Sequence, residues 1–471
     1  MIRLARWSND RNKLCASLGH AQSPGGRHKR RWHRFQLRAL VLLFACCHPV
    51  VLGESGENGR AAAAEQFTQR VLFRRFDANS NGRLDKDEKT ALRDAFGGID
   101  VPMLPTRPFE YTPAKWPSHV RPSKLRQLEN TPAHNPISDQ GAALGRVLFY
   151  DKQLSRNNTI ACASCHHQQN GFSDPRQFSV GFEGRHTRRN AMGLANLRYS
   201  NINGNQPGFF WDERAPTLEA QALMPIQDDI EMGMELEVLE EKLQKLPYYP
   251  QLFEAAFGSS DVTRQRVAKA VAQFVRSMES WNSKFDQAAA KSGLPHNYSA
   301  DFDRFTAQEN LGKALFFAGV GGIAEFGCAH CHVPPTFGMS KSLNNGLDLT
   351  YEDQGLGSLD RPPNDPFTPS NDGKFKAPSL RNIELTSPYM HDGRFNKLEE
   401  VVEHYSSGIH PHVNLGLAFE DRDSVQSASG FKLTDKQKAG LVAFLKTLTD
   451  QQFVSDPKFS DPFIRLPADA N

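Results

Sequence analysis

Apolar residues return at three- and four-residue steps along several stretches of this 471-residue chain, a spacing that lines one face of a helix. The longest stretch is Thr263 to Phe285, where Val267, Val271, Phe274, Met278, Trp281 and Phe285 form one stripe. A shorter one occurs twice, as Leu144-Gly-Arg-Val-Leu-Phe149-Tyr150 and as Leu311-Gly-Lys-Ala-Leu-Phe316-Phe317, the second capped by Thr306 and Glu309. Near the end Thr434 and Gln437 open a helix with Leu441, Phe444, Leu445 and Leu448 on one side. Leu398, Val401, Val402 and Tyr405 fall at i, i+3, i+4 and i+7 behind a cap at Asn396, which leaves His404 about 100° round from Tyr405. Ala61 to Phe76 and Lys89 to Phe96 are further helices. Strand patterns are sparse, so the fold is expected to be mainly α with long loops.

Prolines at 102, 105, 108, 113, 117 and 122 exclude a helix over 99–122 and predict a semi-rigid linker. Residues 1–53 hold a basic run, Arg27 to Arg38, and an apolar run, Ala39 to Val51, interrupted by His48. With Val51-Leu52-Gly53 they predict an export signal, too short in its apolar part to span a membrane stably. Phe44 fits poorly in Leu43-Phe44-Ala45-Cys46, the nearest thing to a lipid-anchor site. The net charge of +3 belongs to this segment, because residues 54–471 hold 46 basic and 52 acidic side chains, a balance that does not support a nucleic-acid partner.

Asp77, Asn79, Asn81, Asp85 and Glu88 place oxygens at loop positions 1, 3, 5, 9 and 12 of a calcium loop. Gly82 provides the turn and Arg83 a backbone carbonyl. Of seven cysteines, Cys15, Cys46 and Cys47 lie in the signal. The other four form Cys162-Ala-Ser-Cys165-His166 and Cys328-Ala-His-Cys331-His332, each following one of the matched helices. Two thiols three positions apart add across the vinyl groups of a haem, and the next histidine reaches the iron. Two haem c groups are therefore expected, attached at Cys162, Cys165, Cys328 and Cys331, with His166 and His332 as proximal ligands. His167 has the wrong spacing and is expected to face solvent. No thiol remains for disulfides or zinc, and covalent haem attachment outside the cytoplasm agrees with export to the periplasm.

The two modules resemble the bacterial di-haem cytochrome c peroxidase family, including its MauG-like branch, from about Asn135 to Asp450. The resemblance rests on Phe210-Trp211-Asp212-Glu213-Arg214, Pro225-Ile-Gln-Asp-Asp-Ile-Glu231, Ala377-Pro-Ser-Leu-Arg-Asn382 and Leu385-Thr-Ser-Pro-Tyr-Met-His-Asp-Gly393. It implies an open first haem, since Phe182 stands where a ligating histidine can lie, with His186 as a displaced alternative. It implies Glu231 as the acid–base group with Gln221 and Pro225 in its pocket, Trp211 between the haems, and Tyr405 as far ligand of the second, with Met390 as rival. It also implies calcium at Asn190, Thr386 and Pro388, although Met192 stands where the family often has proline. Hydrogen peroxide is the implied substrate, with a small redox protein (cytochrome c or a cupredoxin) as donor. MauG-like oxidation of a partner protein and plain electron transfer are the alternatives, and a homodimer is left open.

The expected organisation is a signal (1–53), an EF-hand module (54–98), the Pro-rich linker (99–122), an N-terminal peroxidatic haem domain (123–300) and a C-terminal electron-transfer haem domain (301–471).

Overall fold

The computed structural model describes residues 67–112, 117–200, 208–293, 298–318, 327–338, 342–360, 371–416, 420–421, 424–428 and 430–465. The expected signal at 1–53 and the start of the first expected helix lie outside them. Among the described residues the order is α1 (Gln69–Phe76), α2 (Lys86–Ala95), α3 (Pro122–Leu128), α4 (Asp139–Tyr150), α5 (Leu218–Gln227), α6 (Leu236–Lys245), α7 (Tyr249–Phe257), α8 (Arg264–Arg276), α9 (Lys284–Ser292), α10 (Ala307–Ala318), α11 (Gly357–Asp360), α12 (Leu398–Ser407) and α13 (Asp435–Lys446). Two small antiparallel ladders, β1 (Ser342–Leu343) with β2 (Phe375–Lys376) and β3 (Glu420–Asp421) with β4 (Ser424–Ala428), are the sheet. No described helix is long and apolar enough to cross a membrane.

The same crossing is built twice. Helix α4 packs on α8, and α10 packs on α13. Each crossing has a glycine from the repeated Leu-Gly motif at its closest point. A Cβ on Gly145 would overlap the carbonyl of Ala270, and one on Gly312 the carbonyl of Gly440. Only hydrogen fits where the backbones meet. The capping expected at Thr306/Glu309 and Thr434/Gln437 is formed.

Four expectations need correction. The stripe from Thr263 to Phe285 is not one helix. The helix ends at Arg276, and from Ser280 on backbone N–H groups go to tertiary partners: Ser280 N–H bonds Asn196 Oδ1 at 3.0 Å and Asn282 N–H bonds Asp450 Oδ2 at 2.9 Å. Ser283 and Asp286 then cap a new helix, α9. Second, 99–122 is not a spacer. Val101, Leu104, Tyr111 and Val120 are buried, Leu104 N–H bonds Phe67 O, Met103 N–H bonds Pro462 O, and Tyr111 Oη bonds Lys458 O. Pro122 stands at the start of α3, where its missing N–H costs nothing.

Third, the first core takes in Phe67, Leu72 and Leu92 of the helix pair together with α4, α8 and, from the far end of the chain, Phe453, Phe459 and Phe463. The second core takes in Phe285, Ala288, Phe302 and Phe305, so its module begins near α9 rather than at 301. Fourth, Asn396 does not cap α12. Glu400 accepts from the N–H groups of both Asn396 and Lys397, and the helix starts at Leu398.

Candidate functional site: two cavities that meet at Trp211

Each CxxCH segment forms one turn of 3₁₀ helix on a cavity wall. Cys165 and His166 line the first cavity; Cys328, Cys331 and His332 line the second. His166 Nδ1 is 2.7 Å from Phe172 O, and His332 Nδ1 is 3.0 Å from Phe337 O. A carbonyl only accepts, so in each neutral ring Nδ1 carries the proton; the backbone of Met192 also bonds the His166 ring, and that of Pro378 the His332 ring. Burial lowers both imidazoles' pKa, which keeps them neutral and able to bind a metal. Paired thiols, a fixed neutral imidazole and an adjoining cavity fit a covalently held haem at each place. His167 is half-buried and lines neither cavity.

Helix α5 sends Gln221 and Pro225 to the first cavity, and the loop after it sends Glu231. Asp228 closes that loop by accepting from the N–H groups of Ile230 and Glu231. Burial, reinforced by the charge of Asp228 and opposed by Arg214, pushes the Glu231 carboxyl up to about 7. Phe182 does not line the cavity. Its ring lies against Gly233 with Arg156 over it, while its N–H bonds Glu231 O at 3.1 Å. Phe182 therefore positions the Glu231 loop rather than facing the site. His186 is exposed and lines neither cavity, although its neighbour Thr187 lines the first.

In the second cavity Tyr405 and Met390 both line the wall, and His404 does not. Asn345 sorts the two neighbours: its Nδ2 donates to Tyr405 Oη at 3.2 Å, and its carbonyl accepts from His404 Nε2 at 3.0 Å. Burial pushes the Tyr405 phenol up to about 12, and the bond from Asn345 works against that rise. Asn345 also lies 3.7 Å from Met390 Sδ.

Trp211 lines both cavities. Its Nε1 donates to Asn190 O at 2.9 Å, and its own carbonyl accepts from Lys376 N–H at 2.8 Å. Asn190 is buried; its amide donates to Arg176 O and Gln177 O, so its side-chain oxygen points elsewhere. Thr386 and Pro388 line the second cavity. In the N-terminal helix pair, Gly82 turns at φ +76°, and Asp77 accepts from the N–H groups of Asn81 and Gly82. Asp85 caps α2, Arg83 N–H bonds Asn81, and Glu88 accepts from Ala78, Asn79 and Asp85. Among the described residues no three His, Cys, Asp or Glu side chains form a metal cluster.

One relationship escaped the reading of the sequence. Phe209 pairs with Ala215 and Tyr389 with Phe395, and Phe210 and Met390 share φ 73°. Trp211 then answers to His391, Arg214 to Arg394, and the first residues of α5 and α12 are Leu218 and Leu398. In this register Pro225 holds the place of Tyr405. The shared D-x-R and Leu spacing was the available signal, but the two stretches have little else in common.

The fold and site define a two-module c-type haem protein. The family model for di-haem cytochrome c peroxidase matches residues 139–293. The chain is 33% identical over 333 residues to the methylamine utilization protein MauG of Methylorubrum extorquens, covering 69% of this chain and 83% of that one. It is 33% identical over 334 residues to the cytochrome c551 peroxidase of Nitrosomonas europaea, covering 70% and 85%. Among solved structures, a MauG-like protein associated with microbial copper homeostasis superposes with a TM-score of 0.59 at 33% identity, covering 74% of this chain and 99% of that one. The chain belongs to the di-haem cytochrome c peroxidase and MauG family, whose members carry two haem c groups.

Proposed function

We propose that the chain is an exported, periplasmic di-haem peroxidase that reduces hydrogen peroxide at the first haem with electrons entering through the second. The observation that carries this reading is the asymmetry of the cavities. The first brings Gln221, Pro225 and Glu231 to His166, and none of these is a strong haem ligand. The second brings Tyr405 to His332. Haem c, when bound, supplies iron that can bind peroxide where one side is free and pass electrons where both are taken.

The chain's residues do the rest. Cys162, Cys165, Cys328 and Cys331 hold the groups, and His166 and His332 present Nε2. Glu231, poised near neutrality, takes a proton from one peroxide oxygen and returns it to the other, while Gln221 orients the peroxide. Trp211 couples the modules through its position on both walls. Asn190, Thr386 and Pro388 hold a calcium ion between them, the latter two through backbone carbonyls. A second calcium sits in the loop of Asp77, Asn79, Asn81, Arg83, Asp85 and Glu88.

Tyr405 favours a second reading. Methionine there would raise a haem's potential, whereas a phenolate favours oxidised iron. The second module would then store oxidising equivalents for use on a partner protein's side chain. Mixing peroxide with the haem-loaded protein and following rapid-freeze spectra, with and without reduced cytochrome c or cupredoxin, separates these. Fast turnover with a carrier supports the peroxidase. A long-lived oxidised state without turnover supports oxidation of a protein. Two low-spin haems that ignore peroxide would sink both and leave plain electron transfer.

A further inference from the structure

A surface groove lies beside the segment that follows His332. Helix α3 and the residue that precedes it form one wall with Arg121, Lys124 and Arg126; Tyr298, Pro334 and Pro335 form the other. Arg121 and Arg126 are exposed and Lys124 is half-buried. None of the three makes an ion pair among the described residues, and no Asp or Glu lines the groove. The acid beneath it, Asp286, is already neutralised. It accepts from Arg381 at 2.8 and 2.9 Å and from His119 at 2.9 Å. The groove mouth is thus a patch of uncompensated positive charge, although acids outnumber bases over 54–471.

The groove floor leads inward. The Phe285 ring is 6.3 Å from Tyr298 and 5.1 Å from Phe337, and the Phe337 carbonyl holds His332 Nδ1. Arg381 lines both the groove and the second cavity, with its Nε bonded to Pro335 O and its guanidinium 4.4 Å from the Trp281 ring. The side chain of Arg381 is thus shared by the groove and the second cavity. Electron tunnelling weakens steeply with distance, so a thin wall packed with aromatic rings is where a carrier can work.

We propose that this groove is the docking surface for a small acidic electron-carrier protein that reduces the second haem. Each encounter oxidises the carrier's metal centre by one electron and reduces the second haem iron by one; no bond forms or breaks. This rests on the reading that the second module takes in electrons from outside, and it names the partner's charge and its place. Surface charges steer encounter by factors of about 10 to 10³ at low salt, and screening over a Debye length of about 10 Å at 0.1 M removes most of that.

The test uses the haem-loaded full chain and its Arg121→Glu/Lys124→Glu/Arg126→Glu variant, with Lys124→Gln/Arg126→Gln as a milder form. Reduction of the second haem is followed by stopped flow with three reductants: a reduced acidic cupredoxin of the plastocyanin type, a reduced basic cytochrome c, and ascorbate. With the acidic carrier the native protein should react fast and slow steeply with salt. The triple variant should lose at least tenfold at low salt (about the lower end of steering effects) and become insensitive to salt, with the milder variant between. Ascorbate should reduce all three proteins alike, which also shows that the variants are folded and loaded. An unchanged rate in the triple variant, a salt-independent native rate, or a native protein that takes electrons only from the basic carrier overturns the proposal. Peroxide added to ascorbate-reduced protein is read separately. If it is not consumed, the peroxidase reading fails while the docking result stands.

Discussion

The side-chain amide of Asn345 donates to the phenol oxygen of Tyr405 at 3.2 Å, inside the cavity that His332 also lines. The backbone carbonyl of the same residue holds His404 out of that cavity. One loop residue therefore holds both adjacent potential ligands on α12, the one that faces in and the one that does not.

Removing that donor should be visible electrochemically. With Tyr405 bound as phenolate, a hydrogen bond to its oxygen weakens its donation to iron. Asn345→Leu should lower the second haem's potential by on the order of 100 mV, about the net worth of one hydrogen bond to a charged group in a one-electron couple. Tyr405→Met should move it in the opposite direction and by more. Potentiometric titration of both variants checks this, and unchanged potentials would show that Tyr405 is not a ligand.

Glu231 should set a pH limb. It must be ionised to accept the peroxide proton, and burial, with Asp228 adding, places its pKa at about 7. The rate of the peroxide reaction should fall as pH drops through about 7. Glu231→Gln should lower that rate by about 10²–10⁴ and remove the limb. A native pH profile in the Gln variant would reassign the proton transfer.

Gly145→Ala and Gly312→Ala should each destabilise the fold by about 1–3 kcal/mol, because a methyl group there meets a backbone carbonyl that cannot swing aside. Thermal melts of the haem-loaded variants read the loss. Equal Tm values in native and variant proteins would mean that the helices can part at the crossings without cost.

Asp286 is the fold's acid-sensitive joint. Burial alone would raise its pKa, but the charge of Arg381 and hydrogen bonds from His119 and Arg381 outweigh it and hold the carboxyl well below the usual range. A depressed folded pKa means stability that is present above the unfolded value near 3.8 and is lost as pH falls below it. Asp286→Ala strands the buried guanidinium of Arg381 and should cost about 3–5 kcal/mol at neutral pH, with a flatter acid limb in denaturant titrations.

Metal content tests the two calcium proposals independently. Native protein should hold two ions per chain by elemental analysis after dialysis against calcium. Asp77→Ala/Glu88→Gln should hold one, and Asn190→Leu should lose the other. A native protein with no bound calcium would dismiss both sites.

Local and periodic features were legible in the chain: both CxxCH turns, the matched Leu-Gly helices, the caps at Thr306 and Thr434, and the inward stripe that ends at Tyr405. These depend on contacts within a few residues, so composition and spacing carry them. The stripe from Thr263 to Phe285 was misleading because periodicity reports which side chains are buried, not which backbone groups keep their helical partners. Asn196 and Asp450, distant in sequence, take those partners away. The Pro-rich segment misled in the same way, since prolines exclude a helix but do not say whether the segment packs.

What the sequence by itself determined is that two haems are covalently held in two helical modules, because attachment needs only thiols and a histidine at fixed spacing. Tertiary structure decided the contacts that fix what surrounds each of them. It turned Phe182 away from the first cavity and bonded it to the Glu231 loop, held Trp211 by Asn190 and Lys376, and tied Asn345 to both Tyr405 and His404. Each of those choices is made by a contact across the fold, where burial and hydrogen bonding, rather than spacing along the chain, set the energy.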